Sequence, residues 1–290
     1  MPSQPIVSRK TLSIATVGGV FRALSALVAI LVSSGAVSSS AAEPPKPVPA
    51  GEVLEGSAAN EQAPNLIPNG DFESGEITPT GWQSVDGLSS FWVDDEDPAH
   101  GKVLKIDTDI LQSQGYEQWA RIAAGGSPAD APAKLPTVEP KYDTLAGLDG
   151  VWFWSDPIKI ERGKSYWLTI DAKGPGMLAW LVGYPDEPDT SFGADAAAFQ
   201  GYLQKERGEF KNERGRKAFI HKYVWKGQMA FGGSVDEWKT YSRRQKPFRP
   251  THNTPTVKYV RVMLYPFWPP AIYKIDNVRL TEVESPKPAE

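Results

Sequence analysis

The stretch VKYVRVMLYPF, residues 257–267, alternates between two kinds of side chain. Val260, Val262 and Leu264 fall on one face of an extended chain, and Tyr259, Arg261, Met263 and Tyr265 on the other. That is the period-two signature of a β-strand with a buried face. The period recurs upstream. SYWLTIDAKG (165–174) sets Tyr166, Leu168 and Ile170 against Trp167, Thr169 and Asp171, and GKVLKIDTD (101–109) sets Leu104 and Ile106 against Val103 and Lys105. MLAWLVGY (177–184) is apolar enough to be a buried strand. PIKI (157–160), WKTYSRRQ (238–245) and AIYKIDNVRLTEV (271–283) supply further strands. Short strands separated by Gly, Pro and Asp turns, with few helices between them, predict a β-sandwich or barrel.

Composition agrees. The 26 Gly and 26 Pro of the 290 residues are 52 in all, about 18% against a usual total of about 12%. Helical bundles do not use that many breakers, and 40% hydrophobic residues exclude wholesale disorder. The absence of Cys excludes a disulfide scaffold, thiolate zinc sites and Cys nucleophiles. The three His, His100, His221 and His252, are far apart in sequence, against a multi-His metal centre. The formal charge of −4 suggests no nucleic-acid partner.

The first 42 residues have the make-up of a secretory signal peptide. Arg9, Lys10 and Arg22 are the only charges before Glu43, an apolar run spans Ala23–Val32, and small residues end near Ala42. The run is shorter than the roughly 20 residues of a spanning helix, so a secreted or periplasmic protein with no stable membrane span after cleavage is expected. Cleavage would leave 28 Lys and Arg against 35 Asp and Glu, a net −7. Residues 43–63 carry Pro, Ala, Gly and acids without periodicity and read as a disordered linker. Residues 64–284 form one β domain, followed by a tail at 285–290. Within it, residues 186–235 depart from strand patterning. Ala194–Arg207 reads as a helix, and Lys205–Lys226 holds eight Lys or Arg against three Glu. Such a run is either a solvated loop or a basic lip that favours acidic ligands.

Three motifs stand in order along the domain: NLIPNGDFESG (65–75) followed by Gly81-Trp82, SDPIKIERGKSYWLTIDAKG (155–174), and YKIDNVRLTEV (273–283). The set resembles the carbohydrate-binding modules of families four, nine and twenty-two, within the galactose-binding-like jelly rolls. There an N-G-x-F-E opening, a central G-x-x-Y-x-L strand pair and an I-D-D/N-V-x-L closing strand follow one another. The resemblance implies an all-β, galactose-binding-like jelly-roll β-sandwich, here with a partly helical insertion of about 50 residues. It also implies a structural Ca²⁺ near the meeting point of the first and last strands. By position, Asp71 would offer its backbone carbonyl, with Glu73 and Asp276 supplying the acids. Asn277 stands at the motif's second acid. The alternative is that Asn69 and Asp71 only shape a turn and Asp276 a bulge.

Sugar rings have apolar CH faces that stack on aromatic side chains, while polar side chains bond their hydroxyls. Ten Trp are present. Trp82 and Trp238 read as core. The candidates for a poly- or oligosaccharide site are Trp152 and Trp154 in GVWFWSDP (150–157), Trp167 opposite its strand's core face, Arg261 and Tyr265 on the outward face of residues 257–265, and Trp268 in the Pro-rich loop YPFWPP. Tyr184 stands near a ligand-stacking position of the resembled modules. Their other stacking position, just after Gly81-Trp82, reads Gln83-Ser84-Val85, so Trp92 is the substitute from the neighbouring loop. The reading is a secreted, monomeric, non-catalytic glycan binder, with acidic ligands favoured where the basic run forms a lip over the groove. The alternatives are a jelly-roll lyase or hydrolase using His221 and the basic insertion, or a protein-interaction module of the cell envelope. No carboxylate pair and no G-x-S-x-G elbow can be picked out.

Overall fold

A computed structural model describes residues 63–138, 142–148, 150–190, 223–243 and 246–283. In chain order its elements are β1 (Ser90–Asp94), β2 (Lys102–Asp107), α1 (Gln112–Ala123), α2 (Leu145–Leu148), β3 (Phe153–Trp154), β4 (Ile158–Lys159), β5 (Ser165–Gly174), β6 (Met177–Tyr184), β7 (Trp225–Phe231), β8 (Ser234–Ser242), β9 (Tyr259–Tyr265) and β10 (Ile272–Val283). One antiparallel sheet runs β1-β2-β10-β5-β8. The other runs β3-β9-β6-β7, with β4 also pairing β9. This is the all-β sandwich that the alternating segments call for.

The two sheets share one core. Leu104, Ile106, Leu168, Ile170, Tyr273, Ile275 and Leu280 from the first sheet cluster with Phe153, Ala179, Leu181, Met229, Phe231, Val260, Val262 and Leu264 from the second. In β2, β5, β6, β7 and β9 these are alternate positions, as the pleat requires, and in β10 the irregularity after Asp276 shifts the alternation from Ile275 to Val278 and Leu280. Trp82 lies in this core as expected, with its indole N–H donated to the Asn69 carbonyl at 3.1 Å.

The last strand is central. β10 pairs β2 on one side and β5 on the other. The opening motif then closes over it. Leu66 N donates to Leu280 O at 2.8 Å, and Val278 N donates to Gly70 O at 2.7 Å. Asn65 accepts from Ile67 N and Leu280 N through Oδ1, and its Nδ2 donates to Val278 O. A Cβ at Gly70 would sit 2.0 Å from the Val278 oxygen, which is why the position is Gly. Asn69, at φ 53°, ties the turn by accepting from Ser74 N and donating to the Ser74 and Thr80 carbonyls. A register shift lies between Asp276 and Arg279, with Asn277 at φ 47°. The turn and the bulge of the alternative reading are therefore both present.

Two parts of the sequence reading need amendment. Trp225–Phe231, inside the stretch expected to be an insertion over residues 186–235, is β7 and pairs β6 along its length. Its alternation was hidden by Lys226 and Gln228, which face away from the core. Trp238 is not core: its indole stacks on the His100 ring on the outer side of the first sheet, at 3.9 Å between centroids. The helix expected over residues 194–207, His221 and all of the basic run before Tyr223 lie outside the described residues. Helix α1, which the sequence reading did not assign, is held by side-chain bonds from Gln114 to the Ala133 carbonyl, from Gln118 to the Asp86 carbonyl and from Trp119 to the Asp86 carboxylate.

Asn65 is the test of this closure. Replacing it by Ala strands two backbone N–H groups and one carbonyl, and the expected cost is about 2 kcal/mol. Urea unfolding should show a lower midpoint with an unchanged m-value.

Candidate functional site

The second sheet has an outer face that ought to be polar and is not. The pleat that buries Ala179 and Leu181 turns Leu178, Trp180, Val182 and Tyr184 of β6 outward. In register, Tyr184 stands opposite Tyr259 of β9, Val182 opposite Arg261, Trp180 opposite Met263 and Leu178 opposite Tyr265. Trp154 of β3 pairs Met263 from the other side. Lys226, Gln228 and Ala230 of β7 line up with Val182, Trp180 and Leu178.

These residues form a second hydrophobic cluster, separate from the core. Trp154, Val182, Tyr184 and Met263 are buried, and Trp152, Trp180, Tyr223, Tyr259 and Tyr265 pack on them half-buried. A shallow depression is lined by Trp152, Trp154, Trp180, Val182, Tyr223, Lys226 and Met263. Two cations lie over its rings. The Lys226 ammonium is 4.1 Å from the Trp180 ring centre and 5.9 Å from that of Tyr223. The Arg261 guanidinium is 5.0 Å from the Trp154 ring centre. Such contacts draw on the negative face of the π-system and fix the rings they cover. No outward position in these β3, β6, β7 and β9 registers carries Asp or Glu.

Five of the eight sequence candidates are brought together here: Trp152, Trp154, Tyr184, Arg261 and Tyr265. Arg261 is only 2% exposed, and its Nε donates to the Ser155 carbonyl at 2.7 Å. It braces the Trp154 ring from below more than it offers a surface donor. The other three candidates lie elsewhere. Trp92 is at the opening motif, donating its N–H to the Phe72 carbonyl at 2.7 Å beneath the Lys102 ammonium. Trp167 faces outward as expected, but from β5 of the first sheet, opposite Thr281. Trp268 is in the loop after β9, stacked on Tyr142. Sequence reasoning missed Trp180, Tyr223 and Lys226. The signal for Trp180 was its place two residues from Val182 and four from Tyr184, which a strand read as wholly buried concealed.

No family model and no curated protein matches this chain. Solved structures similar to it include the enzymatically active domain of tailspike protein 4 of bacteriophage CBA120, 12% identical at TM-score 0.39, covering 76% of this chain and 21% of that one. The chain thus spans about a fifth of the tailspike chain. Another is TmCBM61 in complex with β-1,4-galactotriose, 11% identical at TM-score 0.35, covering 76% and 100%. A third is the CBM22-1 xylan-binding domain from Paenibacillus barcinonensis Xyn10C, 10% identical at TM-score 0.33, covering 82% and 98%.

The expected calcium residues lie near the other sheet. Glu73 accepts from Lys102 N at 2.8 Å through Oε1, and His100 Nδ1 is 2.7 Å from Asp276 Oδ2. The tripeptide His100–Lys102 therefore holds both acids. Asp71 is exposed. Among the described residues no three His, Asp or Glu side chains gather as a metal cluster, so a cation here would need backbone oxygens to complete its six to eight ligands. Asp276 is buried and also faces Asn277 and, through Asn277, Asp171. Burial pushes its carboxyl up to about 6, and Asp171 adds to this, while His100 and the Asn277 N–H pull it down.

An acid whose folded pKa is raised stabilises the fold while protonated and loses that contribution as pH climbs from about 4 through about 6. The loss amounts to about 3 kcal/mol at 1.36 kcal/mol per unit. Urea unfolding in a chelator at pH 4 and pH 7 should show a stability difference smaller by about this amount in Asp276→Asn than in the unaltered protein.

Proposed function

We propose that this protein binds a poly- or oligosaccharide, without catalysing its breakdown, on the aromatic outer face of the β3-β9-β6-β7 sheet. The observation that carries the reading is the gathering of Trp152, Trp154, Trp180, Tyr223, Tyr259 and Tyr265 on a sheet face away from the core. Flat rings with fixed orientation match the CH faces of pyranoses, and Lys226 and Gln228 supply donors for hydroxyls at the rim. The Lys226 ammonium over the Trp180 ring puts a cation at this face, and together with the basic run of residues 205–226 it supports a preference for acidic glycans. The resemblance of the three ordered motifs to carbohydrate-binding modules points the same way.

Two further parts belong to this proposal. Residues 1–42 act as a cleaved export signal. Among the described residues, no helix is long and apolar enough to cross a membrane. A calcium ion joins the opening turn to β10, with the Asp71 carbonyl and the carboxylates of Glu73 and Asp276 as protein ligands. Support comes from the shared tripeptide between those acids and from the burial of Asp276, whose anion a cation would neutralise. Its role is to hold two chain ends together in a fold without disulfides.

Affinity electrophoresis on xylan, β-1,4-galactan and polygalacturonate tests the binding. The protein should be retarded on at least one, most on polygalacturonate, and Trp180→Ala or Tyr223→Ala should weaken retention about tenfold. Migration unaltered on all three would remove the reading. For calcium, melting in 1 mM Ca²⁺ should occur several degrees above melting in chelator, because an ion bound only by the folded state must stabilise it. Identical melting temperatures reject the ion.

A further inference from the structure

Tyr142 is 55% exposed, and Trp268 lies parallel to it at 5.6 Å with an interplanar angle of 9°. Neither belongs to a strand. Tyr142 stands just before α2, and Trp268 lies in the loop between β9 and β10. The main core cluster includes neither. The exposed Tyr142 and the half-buried Trp268 present flat ring area at the surface, of the kind that suits the CH face of a sugar.

The pair is joined to the sheet face. Tyr265, the last residue of β9, meets Trp152 edge-on at 6.2 Å and stacks on Phe267 at 5.4 Å. Residues 150–152 run beside 265–267, where Val151 N donates to the Pro266 carbonyl at 2.9 Å. Gly150 is required there. At φ +67°, a Cβ would sit 2.5 Å from the Tyr265 ring and 2.7 Å from the Pro266 oxygen. Trp268 is three residues past Tyr265, at most roughly 10 Å of chain. Trp152, Tyr265 and Phe267 thus carry aromatic rings off the sheet face into the loop after β9, and Trp268, the next residue of that loop, stacks on Tyr142.

We infer that the Tyr142–Trp268 pair is a second stacking point for the same glycan, so that the ligand is a chain long enough to cross the sheet face and reach the sandwich end. The inference rests on glycan binding at the sheet face and adds a length requirement to it. A disaccharide occupies the sheet-face rings alone, whereas a hexasaccharide or polymer engages both.

The test compares the unaltered protein with Tyr142→Ala, Trp268→Ala and Trp268→Phe. Probes are xylan, β-1,4-galactan and polygalacturonate in affinity gels, and the matching disaccharides and hexasaccharides in calorimetry. The unaltered protein should bind hexasaccharide at least fivefold more tightly than disaccharide. Tyr142→Ala and Trp268→Ala should erase that gain while leaving disaccharide affinity unchanged, and Trp268→Phe should retain most of it. Tyr142→Ala is the safeguard against a folding defect, since the side chain is largely exposed and its melting temperature should not move. Equal affinity of the unaltered protein for both lengths, or a gain that survives both Ala variants, overturns the inference and leaves sheet-face binding standing. Absence of binding to every probe overturns both.

Discussion

The architecture depends on β10 being the central strand of the first sheet while also being the last of the described strands in sequence. Tyr273, Ile275, Val278 and Leu280 enter the core from it, and their neighbours in β2 and β5 lie roughly 100 to 170 residues earlier. Until β10 is seated, β2 and β5 present unpaired edges and half a core. Such distant pairing carries the full loop-closure entropy before any contact repays it. The opening motif then locks the seated strand. Asn65 and Gly70 bond the backbone of Val278 and Leu280 directly, and no side chain intervenes at Gly70. In a chain with no Cys, this closure does the work that a covalent link would do elsewhere.

The second sheet answers a different constraint. β6 is apolar or aromatic on both faces and β9 is so except for Arg261, so one face fills the core and the other must find a second apolar environment. Strands with that make-up are ordinarily covered on both sides. Here the outward face gathers rings around Met263 and Val182, with Arg261 and Lys226 lying across Trp154 and Trp180. The cations keep long polar side chains on an apolar surface through their ring contacts. Rigid rings on paired strands hold their spacing because the register holds it, and a platform for flat ligands needs such spacing.

Much of this was legible in the chain. The alternation in residues 257–267 gave both faces of β9 correctly, including Tyr259 and Tyr265 on the outer side, and β5 and β6 were bounded to the residue. The three motifs placed the opening turn against the closing strand. What stayed hidden followed from chemistry that periodicity cannot weigh. Lys226 and Gln228 break the apolar pattern of β7 and so place it in the extra segment by sequence, although in the sheet they occupy outward positions. Trp238 was read as core because an aromatic at a strand start usually is, yet its partner is His100 from a loop 138 residues earlier.

Sequence alone determined the all-β class, most of the strands and, for residues 101–109, 165–174 and 257–267, which side chains share a face. These are local matters, decided by a two-residue repeat and by turn residues. Which face of which sheet becomes a site was decided only by the tertiary structure. Trp152, Trp154, Tyr184 and Tyr265 converge, whereas Trp92, Trp167 and Trp268 are carried to other parts of the sandwich, because strand order and sheet membership are set by long-range pairing. A single strand's alternation says that Trp167 and Tyr265 both point outward. Only the pairing of β5 with β10, and of β6 with β9, says that they point out of different sheets.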